Sequence, residues 1–171
     1  EQVEEEGYST HLITKHAVDY IRENKDEPFC VYVAHEAVHD PMQGPTDPIQ
    51  RGPHKASGEG RPNDVIFTDM LQELDTGVGQ VLAAVNEAGL AEKTIVVFSS
   101  DNGPMPFSSP GPLRGAKGSV FEGGHRVPTI VWWPGTIEPG TVPHEATIGL
   151  DLLPTLTDLA GVETDGMPFD G

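Results

Sequence analysis

Apolar positions along this chain fall into blocks whose spacing switches between helical and extended. From Ser9 to Asn24, Leu12, Ile13, His16, Ala17, Tyr20 and Ile21 recur at three and four residues, which predicts an amphipathic helix with Ser9 or Thr10 as N-cap. Pro28 stops it. Phe29-Cys30-Val31-Tyr32-Val33-Ala34 then runs apolar without a break, the pattern of a strand buried on both faces, with Cys30 as an inert core residue. From Asp64 to Ala88, Val65, Ile66, Met70, Leu71, Leu74, Val78, Val81, Leu82 and Val85 predict a long helix, with Gly89 at C′ and Leu90 behind it. Thr94–Phe98 reads as a second buried strand and Val127–Trp133 as a third, with Pro128 acceptable only near a strand start or on an edge. A last helix from about Asp151 to Ala160 has Pro154 in its first turn and Gly161 past its end.

This alternation predicts an α/β fold, a mostly parallel sheet with helices on both faces. In such sheets ligands bind beyond the carboxyl ends of strands. Two segments begin there, His35 to His39 and the turn Ser99-Ser100-Asp101-Asn102-Gly103. If their strands are parallel neighbours, the two segments converge on one edge, which is the candidate site. The stretch from His35 to about Asn63 carries nine prolines and glycines and is long for an idle loop, so it reads as a binding or lid loop.

Composition narrows the choice of partner. The chain has 171 residues, one domain's worth, with 20 glycines and 16 prolines that call for long structured loops. A formal net charge of -17 repels a phosphate backbone and argues against nucleic acid as partner. One cysteine can close no disulfide within the chain, and no apolar run reaches the ~18 residues a membrane span requires. The first residue is Glu1 with no initiator Met, so the expectation is either a removed signal or a fragment.

Three constellations carry possible chemistry. His35-Glu36-Ala37-Val38-His39 matches H-E-x-x-H, but a strand predicted just before it and Pro41 just after leave no helix to hold both rings on a zinc ion. Asp101-Asn102-Gly103 offers two adjacent oxygen donors of the hard kind that Ca²⁺ or Mg²⁺ takes, though such a triplet is also an ordinary turn and too few ligands for a calcium shell. Lys117, between Gly115 and Gly118 and with Arg114 nearby, can present a cation to an anion or remain a solvated loop charge; the phosphate-loop pattern is not met.

Together these segments resemble the C-terminal half of the catalytic domain of the formylglycine-dependent sulfatases, in the alkaline-phosphatase-like superfamily. Pro112-Leu113-Arg114-Gly115-Ala116-Lys117-Gly118 running into Phe121-Glu122-Gly123-Gly124-His125-Arg126-Val127-Pro128 is similar to the family's LRGxKGxxxEGGxRVP stretch. Ser100-Asp101-Asn102-Gly103 resembles its SDNG, Ala37-Val38-His39-Asp40-Pro41 its APHxP loop with Val for Pro, and Asp151-Leu152-Leu153-Pro154-Thr155 its DLxPT helix. The likeness runs from about Tyr8 to Gly171. It implies that Asp101 and Asn102 are calcium ligands, with Mg²⁺ the lesser alternative. It also implies that Lys117 binds the sulfate, and that His39 binds the sulfate and donates a proton to the leaving oxygen. His35 and Glu36, variable in the family, would contact substrate.

The family's nucleophile motif, Cys or Ser followed by x-Pro-x-Arg, and the Asp-Asp pair that completes its calcium shell do not occur in these residues. The expectation is therefore a single partial catalytic domain over 1–171, with the formylglycine nucleophile upstream and the fragment inactive alone. The activity implied is hydrolysis of a sulfate ester, a sulfated carbohydrate ahead of an aryl sulfate, because His35–Gln43 resembles sulfatases of polysaccharide-degrading bacteria. The alternatives are a phosphonate or phosphate ester hydrolase of the same superfamily, or a degenerate, non-catalytic calcium-binding module. A periplasmic or secreted location follows from the resemblance, and the oligomeric state is not legible.

Overall fold

The computed structural model describes residues 4–48, 60–105, 108–164, 166 and 168–171. The chain divides into two units, Glu1–Ile137 and Glu138–Gly171. The predicted loop residues 49–59 lie outside the described residues.

The first unit is built on two helices, α1 (Ser9–Glu23) and α2 (Asn63–Glu87), close to the bounds their periodicity predicts. Their side-chain pairs advance together along both helices, His11 with Glu73 at 2.7 Å and Arg22 with Glu87 at 3.2 Å, so the two run side by side in the same direction. Val18 and Ile21 of α1 close on Ala84 and Val85 of α2, with Phe29, Val81, Leu90 and Trp132 packed around them. Gly89, at φ +71°, ends α2 as predicted. Its N–H bonds to the Asn86 carbonyl and that of Leu90 to the Val85 carbonyl, which turns Leu90 back onto the core. At the start of α1 the cap differs from expectation: Tyr8 occupies the N-cap without a side-chain bond, and Thr10 lies buried in the first turn.

The sheet corrects the parallel expectation. Among the described residues it has two strands, β1 (Val96–Ser99) and β2 (Thr129–Trp132), paired antiparallel with Val96 opposite Trp132 and Ser99 opposite Thr129. The physical reason lies in the connection. Parallel neighbours need a crossover, usually a helix, that carries the chain back to the end it started from. The described residues between β1 and β2 form loops and one helical turn, α3 (Glu122–His125), and the chain returns in the opposite direction. Pro128 immediately precedes β2, where its missing N–H removes no ladder bond.

The segment Phe29–Ala34 is a second correction. It forms no ladder among the described residues, and its burial alternates: Phe29, Val31 and Val33 are half-buried, while Cys30, Tyr32 and Ala34 are exposed. Cys30 is therefore an exposed thiol and not a core residue. An unbroken apolar run implied two covered faces, whereas in this chain one face is half-buried, with Phe29 packed on the core of the helix pair, and Tyr32, 91% exposed, stands on the other.

The second unit holds the 3-10 turn Gly149–Asp151 and α4 (Leu152–Leu159), with Pro154 in the first turn and Gly161 at φ +65° just past the end, as predicted. The Asp151 carboxylate accepts from the Ile148 N–H at 2.7 Å and caps the turn.

Candidate active site

The loop after Ala34 is held from below by apolar side chains. Met42, 1% exposed, inserts between Ile66 and Met70 of α2, and Ala37 and Val38 pack on the same cluster. Its far end is tied by charge. Asp47 accepts from the Gly44 N–H at 2.7 Å and from Arg61 at 2.8 Å, and the same guanidinium reaches Asp69 of α2. Burial alone would raise the Asp47 pKa; the guanidinium and the Gly44 N–H outweigh it and hold the carboxyl below its usual range. Anchored on both sides, the loop presents His39 to solvent.

The orientation of the His39 ring is fixed by its own neighbour. Nδ1 lies 2.8 Å from the Asp40 carbonyl oxygen, which can only accept, so Nδ1 carries the proton and Nε2 is left as the acceptor. Nε2 meets the Lys117 Nζ at 3.1 Å, across 78 residues of sequence. The structure thus brings together the two residues to which the resemblance gives a sulfate-binding role. Among the described residues no carboxylate lies within ion-pair distance of Lys117, in a chain of 27 acidic side chains.

Lys117 sits on a loop whose backbone is locked to the Asp101 turn. Its N–H donates to the Pro104 carbonyl at 3.1 Å, and the Gly103 N–H donates to the Gly124 carbonyl at 2.9 Å. Two further bonds close the loop on itself, from the Gly123 N–H to Arg114 and from the Gly124 N–H to Phe121, each 2.7 Å. These contacts explain the glycines. A Cβ at Gly103 would overlap the Gly123 carbonyl oxygen, one at Gly123 the Gly115 carbonyl oxygen, and one at Gly124 the Ser119 carbonyl oxygen. Backbone lies on backbone here, with no room for a methyl group. Arg114, the second cation near Lys117, is stacked over the Phe121 ring at 3.7 Å from its centroid, which gives it a role within the loop.

Asp101 and Asn102 stand on the turn that these bonds fix. The Asn102 amide nitrogen donates to Asp101 Oδ2, so the second carboxylate oxygen and the amide oxygen stay available as donors. Oxygen donors of this kind fit a hard divalent cation, though two side chains are a minority of its shell. The described residues contain no cluster of three or more His, Cys, Asp or Glu able to hold a metal.

His35 lies apart from this group. Its ring is half-buried, its Nε2 is 2.9 Å from Thr14 Oγ1 of α1, and burial lowers its pKa. Glu36 is exposed, and its carbonyl accepts the His39 N–H at 2.9 Å. The residues that sequence reasoning missed are the supports: Thr14, Met42, Asp47, Arg61 and Gly77. Each acts on a partner distant in sequence, which no local pattern marks.

Comparison with known proteins identifies the family. A family model described as Sulfatase matches residues 1–162, and the chain belongs to the sulfatase family. It is 40% identical to human arylsulfatase A over 154 residues, which cover 87% of this chain and 28% of that protein. It is 34% identical to mouse N-acetylgalactosamine-6-sulfatase over 166 residues, covering 92% of this chain and 30% of that protein. The crystal structure of Ps i-CgsB in complex with k-i-k-neocarrahexaose superposes with a TM-score of 0.82 at 30% identity, over 96% of this chain and 37% of that one. The chain spans less than a third of the length of these curated relatives, and its architecture is part of a sulfatase fold.

Proposed function

We propose that the full-length protein hydrolyses a sulfate ester, with His39 and Lys117 binding the sulfuryl group. The observation that carries this reading is the 3.1 Å approach of His39 Nε2 to Lys117 Nζ, on a loop bonded directly to the Asp101–Asn102 turn. A lysine without a carboxylate partner among the described residues, in a chain of net charge -17, suits an external anion. Its ammonium would hold the non-bridging oxygens and stabilise charge that shifts onto them as the S–O bond breaks.

His39 suits proton transfer to the leaving oxygen. With Nδ1–H committed to the Asp40 carbonyl, a second proton can reside only on Nε2, the atom facing the site. Delivery of that proton to the departing alcohol returns the ring to the tautomer that Asp40 already stabilises. Asp101 and Asn102 would hold the divalent cation that the family implies, calcium ahead of magnesium, and that cation would supply concentrated positive charge. The nucleophile, formylglycine by family, would come from residues beyond these 171.

For substrate we favour a sulfated carbohydrate over an aryl sulfate. Support comes from a relative named N-acetylgalactosamine-6-sulfatase and from a neighbour solved with a bound hexaose. The test is steady-state hydrolysis by the full-length protein of a sulfated oligosaccharide and an aryl sulfate, alongside the matching phosphate ester. Lys117→Ala should lower kcat/KM by on the order of 10²–10³, as for loss of one preorganised donor, and Lys117→Arg should not restore it fully. Asp101→Ala should weaken calcium binding in a calorimetric titration. Turnover of the phosphate ester alone, or an undiminished Lys117→Ala variant, would overturn the proposal.

A further inference from the structure

His35 stands where three elements meet. Its Nε2 is 2.9 Å from Thr14 Oγ1 in α1, and a Cβ built at Gly77 in α2 would lie 3.6 Å from the same nitrogen and overlap the Thr14 hydroxyl. Gly77 is thus the gap that lets α1, α2 and the loop approach. Thr14 is 2% exposed, so its hydroxyl depends on His35 and on its own helix for satisfaction. His35 is also four residues from His39, a span of at most about 14 Å when fully extended. Within that span Ala37 and Val38 are packed on the Met42, Ile66 and Met70 cluster. Little slack remains between the Thr14 contact and the ring that meets Lys117.

We infer that the Thr14–His35 hydrogen bond, seated over Gly77, is a positioning contact that sets the register of the loop and so places His39 Nε2 against Lys117. This inference rests on the sulfatase reading of the site. It assigns His35 to orientation of His39, and Thr14 with it, neither of them touching substrate.

Positioning of a proton donor has a kinetic signature that loss of stability lacks. A leaving alcohol of high pKa needs the His39 proton, whereas a nitrophenolate departs without it, so a misplaced donor slows the first and spares the second. In the full-length protein, Thr14→Val keeps the volume and removes the hydroxyl. It should lower kcat about tenfold on an alkyl or sugar sulfate, less than the ~10²-fold that a 1 Å misplacement can cost, with KM within about twofold. On 4-nitrophenyl sulfate kcat should change by less than about twofold, and Thr14→Ser should recover most of the loss on the first substrate. If Thr14→Val fails to fold, His35→Gln removes the ring from the other side and should show the same division between substrates. Equal losses on both substrates, or no recovery in Thr14→Ser, would overturn the inference. A wild-type protein inactive on every sulfate ester would overturn the function itself. An active wild type impaired by His39→Ala, with Thr14→Val unaffected, would remove the positioning role alone.

Discussion

Replacement of Gly103 by Ala tests the geometry of the site through one methyl group. Gly103 is not in the left-handed region, so the backbone conformation would accept an L side chain; only space forbids it. The new Cβ would overlap the Gly123 carbonyl oxygen and lie 2.9 Å from its carbon and 3.0 Å from the carbonyl carbon of Gly124. Carbon atoms rest at about 3.5–4.0 Å, so the two backbones must part by roughly 1 Å. Such overpacking costs about 1–3 kcal/mol, and stretching the 2.9 Å bond from the Gly103 N–H to Gly124 adds about 0.5–1.5 kcal/mol. The functional consequence should exceed the loss of stability. The same movement carries Asp101 and Asn102 away from Lys117, and a 1 Å misplacement can cost about 10²-fold in rate. The assay is kcat/KM of the full-length protein on a sulfate ester, with urea denaturation and a calcium titration on the same preparation. A Gly103→Ala variant with wild-type turnover and midpoint would refute the claim that backbone contact between these two loops sets the site.

Two further outcomes follow from the supports. In α2, Gly77→Ala should destabilise by about 1–3 kcal/mol because its Cβ meets Thr14, whereas Gly79→Ala, whose Cβ would meet nothing within 4 Å beyond its own helix among the described residues, should gain about 0.5–1 kcal/mol of helix propensity; denaturation midpoints showing the same sign for both would contradict the helix packing. Asp47 has a folded pKa below its unfolded value, so its stabilisation is fully present above the unfolded value of about 3.9 and is lost as pH falls through the folded one. The stability difference between wild type and Asp47→Asn should therefore be larger at pH 7 than at pH 2 to 3, and a pH-independent difference in urea titrations would dismiss the Arg61 pairing as its cause.

Helices were legible in this sequence because their information is local. The three-and-four spacing of α2 and the Gly89-Leu90 ending specify conformation within a few residues, and both stand in the structure. Strand pairing is not local. Val96–Ser99 and Thr129–Trp132 read correctly as extended, yet they pair antiparallel across a connection whose described residues hold a single helical turn and no crossover helix. Phe29–Ala34 shows the same limit from the other side: six apolar residues in a row cannot reveal that only alternate ones are half-buried. The position of Cys30 was lost with that face.

At the site, the motifs name candidate residues, and what supports those residues is not written in the motifs. The motifs around His39, Asp101 and Lys117 pointed to the anion and the cation. Nothing in either motif says that Lys117 reaches His39, because that meeting depends on two unlike foundations. His39 rides on side-chain packing, with Met42 between Ile66 and Met70 and the loop ends held by Thr14 and Arg61. Lys117 and Asp101 ride on main chain pressed against main chain, where the informative side chain is the one that glycine lacks. Composition registers such a loop only as glycine-rich. The two halves should therefore respond differently to change: volume-conserving swaps at Met42 or Met70 should be absorbed, as in other cores, whereas any added atom at Gly103, Gly123 or Gly124 must move backbone and with it the charges of the site.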